Sequence, residues 1–252
     1  MSSQQANYYT TRKAELLEDF DNTADLVKDT VISRYGADFA NSLYRACRDE
    51  YEDLIPHIPY IAGFRARALN TFLVISAQEL AVYKGMKTYG KTAAEAWQIC
   101  HDALRLRMTH YSPIKRWLLK RVMFSGMLKR RFQQRAEAGE IHHLGDFQVR
   151  FVSGHGEDFD FGVDYMACGI HNFVRDHGGE EFAPYVCLSD IALSDAMDWG
   201  LIRTETLADG CKRCDFRFKQ GGTTQISSNL PEVQKTIDHI ARKEMETSAL
   251  QS

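Results

Sequence analysis

The sequence predicts an α+β protein, with an N-terminal helical layer packed on a C-terminal antiparallel sheet that carries two inserted short helices. Apolar residues recur at three- and four-residue spacing over the first half of the chain, as on one face of a helix. After Gly145 they alternate with polar residues in several segments, as in half-buried strands. Helices come first and strands later, whereas a doubly wound sheet would alternate them.

The expected organisation is a mainly helical half at 1–140, a strand-rich half at 141–225, and a C-terminal helix and tail at 226–252, within one compact domain. With 252 residues, 44% of them hydrophobic, the chain can bury a sizeable core. Its longest apolar run, Thr71 to Ala77, is far shorter than the ~20 residues that cross a bilayer. The polar start of the chain lacks the apolar core of a signal peptide.

These features predict a cytoplasmic protein with reduced cysteines and no membrane partner. The net charge of −3 argues neither for nor against nucleic acid, and we expect no nucleic-acid partner. The expected partner is a small-molecule substrate, and a homodimer is a common default for the assembly.

Glycines and prolines divide the helical half. A first helix, with Leu16 and Phe20 on its apolar face, ends near Gly36, where glycine can form a left-handed cap. A second helix runs to about Leu54 and meets a proline-containing loop at 56–63.

A third helix is predicted from about Leu69 to Tyr89. The fourth begins where Thr92 and Glu95 fit a capping box. A fifth helix opens at Pro113.

The fifth helix is strongly basic. Between Lys115 and Arg135 it has eight Lys or Arg residues and no acidic residue. A basic amphipathic helix can meet a membrane surface or an acidic partner. Segregated charge usually pairs within its own chain first, so we favour a solvated helix that faces the acidic first helix.

Two hairpins are predicted in the strand-rich half. The first joins Phe147–Phe151 to Phe159–Tyr165 through a glycine-flanked turn at His155. Two short helices follow, at about 167–177 and 181–199.

The second hairpin joins Ile202–Thr206 to Cys214–Phe218, with apolar side chains inward and charged ones, including Arg203 and Arg217, outward. Asn229 and Pro231 can start a last helix.

Cys211 and Cys214 form a C-x-x-C motif. A thioredoxin-like site needs its first cysteine at a helix N-terminus, whereas a strand follows here. A structural zinc site needs four ligands, and there is no second C-x-x-C motif to supply the other two. Cys168, His171 and Cys187 could supply them only if the fold brings them next to Cys211 and Cys214. We favour a packed apolar role for Cys214 and expect no metal and no cofactor.

Cys168 stands at the start of a predicted helix, where a thiolate is electrostatically favoured. Asp164 is close in sequence, and His171 is one helical turn on, so a nucleophile, a base and an orienting carboxylate are available in principle. Asp190 lies one turn after Cys187, where Arg203 or Arg217 could pair with it or grip an anionic substrate. Surface pairing is the favoured alternative for these arginines.

Five segments, taken in order, resemble one family: Ile58–Gly63, Gly90–Ala96, Asp158–Cys168, Pro184–Asp190 and Arg203–Phe218. Over about residues 30–220 the chain resembles the L-2-amino-thiazoline-4-carboxylic acid hydrolase family. The most specific features are the late cysteines, the acid after Cys187 and the closing C-D-F-R-F strand.

The resemblance implies a hydrolase that opens the ring of 2-amino-Δ2-thiazoline-4-carboxylate, a cyclic amidine, to give carbamoyl-cysteine. Cys168 would be the nucleophile or would position water, Asp164 or Asp190 would act as acid and base, and Arg203 or Arg217 would clamp the carboxylate.

The expected substrate-binding set is completed by further residues of the late segments: Thr204, Thr206, Asp215, Cys187 and Cys214. The alternatives are a related biosynthetic enzyme with another small substrate, and a non-catalytic module that binds a small ligand.

Overall fold

The computed structural model describes residues 8–63, 66–154 and 158–249, and its fold is α+β as predicted. The turn predicted at His155 lies outside the described residues. The α-helices with defined bounds within these ranges are α1 (Lys13–Tyr35), α2 (Ala37–Leu54), α3 (Arg67–Thr88), α4 (Ala93–Thr109), α5 (Pro113–Met123), α6 (Gly126–Ala138), α7 (Gly169–Asp176), α8 (Ala183–Val186), α9 (Ser189–Met197) and α10 (Pro231–Ala249).

Six strands form one sheet in the order β1-β2-β3-β5-β4-β6. They are β1 (Ile141–Leu144), β2 (Phe147–Ser153), β3 (Phe161–Ala167), β4 (Leu201–Arg203), β5 (Cys214–Phe218) and β6 (Gln225–Ile226). The sheet is antiparallel as predicted except at one edge, where β6 pairs with β4 in parallel. The chain reverses once into β5 and again into β6, so β6 runs in the direction of β4.

Capping residues set the helix boundaries. The box at Thr92 and Glu95 is present, with each side chain accepting from the other residue's backbone N–H. The single basic helix predicted after Pro113 is in fact two, because Ser125 accepts a hydrogen bond from the N–H of Leu128 and starts α6. No helix in the described ranges is long and apolar enough to cross a membrane.

Contrary to the prediction, the basic helices form no salt bridge with α1 in the part of the chain that the structure describes. Lys120 of α5 pairs with Asp198, and Lys129 of α6 pairs with Asp160 at 2.8 Å. Two acidic residues of α1 have other partners: Asp19 pairs with Arg107 of α4, and Asp21 pairs with Arg48 of α2.

The main core joins the helical and strand-rich parts of the chain. It includes Leu16 of α1, Leu80 of α3, Phe147 of β2, Leu201 of β4 and Val233 of α10. One face of the sheet supplies the strand residues of this core. Side chains alternate between the two faces of a sheet, so the other face carries the residues between them.

The second hairpin is shorter than predicted. Only Leu201 and Ile202 of β4 pair with β5, and Thr204 and Thr206 lie in the turn that follows. The inward and outward positions of β4 are also reversed, because Leu201 and Arg203 are buried while Ile202 is only partly covered. The helix predicted at 181–199 is two helices, α8 and α9.

Gly85 of α3 allows close approach of α2. A Cβ atom there would lie 2.5 Å from Sγ of Cys47 and 3.1 Å from its backbone nitrogen. We expect Gly85→Ala to lower the free energy of unfolding by about 1–3 kcal/mol, because Cys47 is buried and cannot move freely. Urea unfolding followed by circular dichroism measures the change.

Gly126→Ala is the matched control, since no atom lies within 4 Å of a Cβ at that position. Alanine there should leave stability unchanged or raise it by less than about 1 kcal/mol. Equal stability of the two variants would contradict the close packing of α2 on α3.

Candidate functional site

Three cysteines meet between the sheet and the helices. Cys168 is the N-cap residue of α7, Cys187 lies between α8 and α9, and Cys214 begins β5. Asp190 of α9 acts electrostatically on all three thiols, and Arg203 of β4 acts on Cys187 and Cys214. We call these five residues the cysteine site.

Arg203 is the most buried member of the cysteine site, with 1% of its surface exposed. Its Nη1 donates to the carbonyl of Cys187 at 2.9 Å and to the carboxylate of Asp190. The guanidinium lies 5.4 Å from the ring centre of Phe216. Its Nε–H is buried and has no hydrogen-bond partner in the described structure. The prediction that Arg203 points outward is therefore wrong, because its charge is matched inside by Asp190.

The three cysteines are held as thiols. Burial raises the pKa of Cys168 to about 12 and that of Cys214 to about 12, and it raises the pKa of Cys187 as well. Backbone N–H groups of Ile170 and His171, at the start of α7, lower the pKa of Cys168. The predicted effect of the helix N-terminus is thus present, but desolvation outweighs it.

Asp190 keeps accessible surface although protein surrounds most of it. Burial raises its pKa, with Arg203 opposing the shift, yet 28% of its side chain is exposed. Cys168 and Cys187 are likewise only half-buried, although desolvation is the largest cause of their raised pKa. These three side chains therefore keep surface that solvent can reach within a largely desolvated region. A small ligand could therefore meet two thiols and a carboxylate there.

Asp164 and Arg217 lie on the other face of the sheet. The side chain of Asp164 is 1% exposed and pairs with Arg150 at 2.8 Å, Arg217 at 2.8 Å and Arg213 at 3.6 Å. Burial alone would raise its pKa, but the hydrogen bonds from Arg150 and Arg217 lower it overall. Arg217 crosses Gly162 to reach it, where a Cβ would lie 2.7 Å from the arginine Cδ. We call these four charged residues the arginine face.

Strand alternation separates these two groups of residues. Asp164 and Arg217 are sequence neighbours of Tyr165 and Phe216, which pack on the core side of the sheet. The structure therefore brings together Cys168, Cys187, Asp190, Arg203 and Cys214 among the predicted site residues. It does not bring Asp164 or Arg217 to them.

The remaining predicted residues hold the turn after β4. Asp215 accepts hydrogen bonds from the N–H of Thr204 at 2.8 Å, from its hydroxyl at 2.8 Å and from the N–H of Glu205 at 2.6 Å. Buried Thr206 accepts from the N–H of Asp209 at 3.0 Å. These contacts fix the end of the strand that carries Arg203.

The C-x-x-C motif is split between two environments. The thiol of Cys214 accepts from the N–H of Leu207 at 3.3 Å, and that of Cys211 accepts from the side chain of Asn229 at 3.3 Å. All six cysteines are free. Within the described ranges, no three His, Cys, Asp or Glu side chains are grouped to hold a metal ion.

Glu79 is a candidate that sequence reasoning missed. It is buried in α3, where it accepts a hydrogen bond from the Ser189 hydroxyl at 2.6 Å, next to Asp190. Burial raises the pKa of Glu79 to about 8. It also lines a cavity of about 330 Å³ among α1–α4, together with Cys47, Cys100 and Arg107. A carboxylate in the apolar stretch of α3 is the sequence signal for it.

The raised pKa of Glu79 predicts that the free energy of unfolding depends on pH. Its folded pKa is raised, so the wild type loses stability as pH rises from about 4.5 to about 8, and the loss is then complete. Glu79→Gln keeps an acceptor for Ser189 and carries no charge. Relative to wild type, its free energy of unfolding should rise across this window by roughly 2–4 kcal/mol.

Urea unfolding at several pH values tests this expectation. Glu18→Gln, which changes an exposed carboxylate on α1, is the control and should show no such trend. A constant difference between Glu79→Gln and wild type from pH 4.5 to 8 would mean that Glu79 is ionised throughout.

Comparison with known proteins places this site in a family. No curated protein and no solved structure matches the chain significantly. The sequence model for L-2-amino-thiazoline-4-carboxylic acid hydrolase matches residues 76–218. That match covers more than half of the chain and contains the whole cysteine site, the arginine face and Glu79, but it excludes the loop at 58–63. The chain is thus a member of the L-2-amino-thiazoline-4-carboxylic acid hydrolase family.

Proposed function

We propose that the protein is a hydrolase that opens a small cyclic amidine such as 2-amino-Δ2-thiazoline-4-carboxylate at a ring carbon–nitrogen bond. The oxygen of one water ends on the ring carbon between sulfur and nitrogen. The ring nitrogen takes up protons and leaves as an amine, which gives carbamoyl-cysteine. This reaction needs a nucleophile or an oriented water, a proton donor and a cationic group for the carboxylate.

The observation that carries the proposal is the buried Arg203 in the cysteine site. Its Nε–H has no partner, and an unsatisfied buried donor costs about 1–3 kcal/mol. A substrate carboxylate would satisfy that donor and would find a guanidinium already fixed by Asp190 and by the Cys187 carbonyl. Arg217 is a weaker candidate for this role, because its guanidinium is occupied by Asp164 and by the carbonyl of Phe216.

Asp190 suits the proton transfer better than Asp164. Burial raises the pKa of Asp190, so it can hold a proton closer to neutral pH and deliver it to the ring nitrogen. Asp164 is locked as a carboxylate by its arginines, and its pKa is lowered. We therefore assign Asp164 to the stability of the sheet.

Cys168 lies beside this pair as a thiol. Burial raises its pKa to about 12, so it stays protonated at pH 7. Cys168 can orient the attacking water as a thiol, or it can attack the ring carbon after passing its proton to Asp190. Replacement by serine separates these roles, since a hydroxyl orients water but is a much weaker nucleophile.

A small-ligand-binding module is the second candidate. The cavity of about 330 Å³ among α1–α4 supports it, because ligand sites are mostly apolar with a few polar groups. In that case Glu79 would contact the ligand, and the cysteine site would be structural.

Incubation of the purified protein with 2-amino-Δ2-thiazoline-4-carboxylate, followed by mass spectrometry, tests the proposal. We expect a mass gain of one water. Cys168→Ala, Asp190→Asn and Arg203→Lys should each slow turnover by about a hundredfold or more. Formation of a free thiol instead of an amine would show that the carbon–sulfur bond breaks.

Asp164→Asn is the matched control on the arginine face. It should keep most of the turnover of the folded protein, and circular dichroism establishes that each variant is folded. Loss of turnover in Asp164→Asn with full turnover in Cys168→Ala and Asp190→Asn would move the site to the arginine face. Ligand binding without turnover would favour the binding module.

A further inference from the structure

Helix α5 exposes an apolar surface. Ile114, Trp117, Leu118 and Val122 are each between 52% and 78% exposed. No residue of α5 is buried. At about 100° per residue these four side chains occupy one arc of roughly 140°.

The orientation of α5 is the reverse of an ordinary surface helix. Arg116 and Lys120 lie on the side opposite the apolar arc and are partly covered, and Lys120 pairs with Asp198 of the protein body. A surface helix of a globular protein normally turns its apolar stripe to the core and its charges to water. In α5 the side that carries Arg116 and Lys120 is turned toward the protein instead.

The apolar surface continues into α6. Met127 is 70% exposed just after the turn between the two helices. The turn is anchored by Phe124, which is buried and packs on Phe161 of β3 at a ring distance of 5.6 Å. Phe132 of α6 packs on the same strand residue at 4.6 Å. The fold therefore holds this surface in place.

Basic side chains surround the apolar surface. Among the eight basic residues from Lys115 to Arg135, only Lys120 and Lys129 form salt bridges with described residues. Arg121 lies 5.4 Å from the ring centre of Trp117, within the apolar arc. Arg130 and Arg131 of α6 are exposed.

We propose that α5 and the start of α6 form a docking surface for an anionic lipid membrane. Trp, Ile, Leu and Val side chains can enter the boundary between headgroups and acyl chains while Lys and Arg meet the lipid phosphates. Each basic residue near an anionic leaflet strengthens this attraction. In a two-fold contact with a second copy, Arg121 and its basic neighbours would face the same positive charges of that copy, which would repel them. This proposal replaces the expectation of no membrane partner.

Sedimentation of the full-length protein with vesicles tests this inference. We expect binding to phosphatidylcholine vesicles that contain phosphatidylserine, much weaker binding to pure phosphatidylcholine, and loss of binding at high salt. The double variant Trp117→Ala/Leu118→Ala should bind at least about tenfold more weakly, and so should Lys115→Gln/Arg121→Gln. Neither should alter the unfolding midpoint, since these side chains are exposed.

Tyr89→Ala and Arg45→Gln are the matched controls, because they change an exposed aromatic and an exposed basic residue outside α5 and α6. Both should bind like wild type. A blue shift of tryptophan fluorescence on binding, lost in Trp117→Phe, would place α5 at the lipid.

Equal binding of all variants, or no binding to anionic vesicles, would overturn the proposal. Self-association in size-exclusion chromatography that is abolished by Trp117→Ala/Leu118→Ala, without vesicle binding, would identify the surface as an interface between copies.

Discussion

The ion pair between Arg203 and Asp190 is the constraint on which the candidate site depends. An arginine cannot give up its charge inside a protein, so its burial requires a matched carboxylate and further hydrogen-bond acceptors. Asp190 and the carbonyl of Cys187 supply both, and they tie β4 to the connection between α8 and α9. The same contacts set where the neighbouring cysteines lie. A substitution that breaks the pair would therefore disturb fold and site together.

The sheet separates two groups of charges that look alike in sequence. On the core face, desolvation raises the pKa of Asp190, with Arg203 opposing the shift, and it keeps Cys168 protonated at neutral pH. On the opposite face, three arginines hold Asp164 as a carboxylate, and its role is to neutralise them. The surroundings of each aspartate, rather than its residue type, thus decide whether it can transfer protons or only neutralise neighbouring charges.

Much of the architecture could be predicted from the sequence because periodicity and caps are local signals. The helix at Thr92 and the alternating β5 strand are examples. The inward direction of Arg203 could not be predicted from the sequence, since a three-residue strand is too short for alternation to fix which face each side chain takes. The setting of Glu79 could not be predicted either, because its hydrogen-bond partner Ser189 lies 110 residues away in the sequence. The two-residue strand β6 has no periodicity at all.

The location of a bound product is the most direct test of the account. A crystal structure of the protein with carbamoyl-cysteine should place the product carboxylate about 3 Å from the Arg203 guanidinium, with the carbamoyl group near Cys168 and Asp190. Density for the product in the helical cavity beside Glu79, or against the arginines around Asp164, would contradict the assignment of chemistry to the cysteine site.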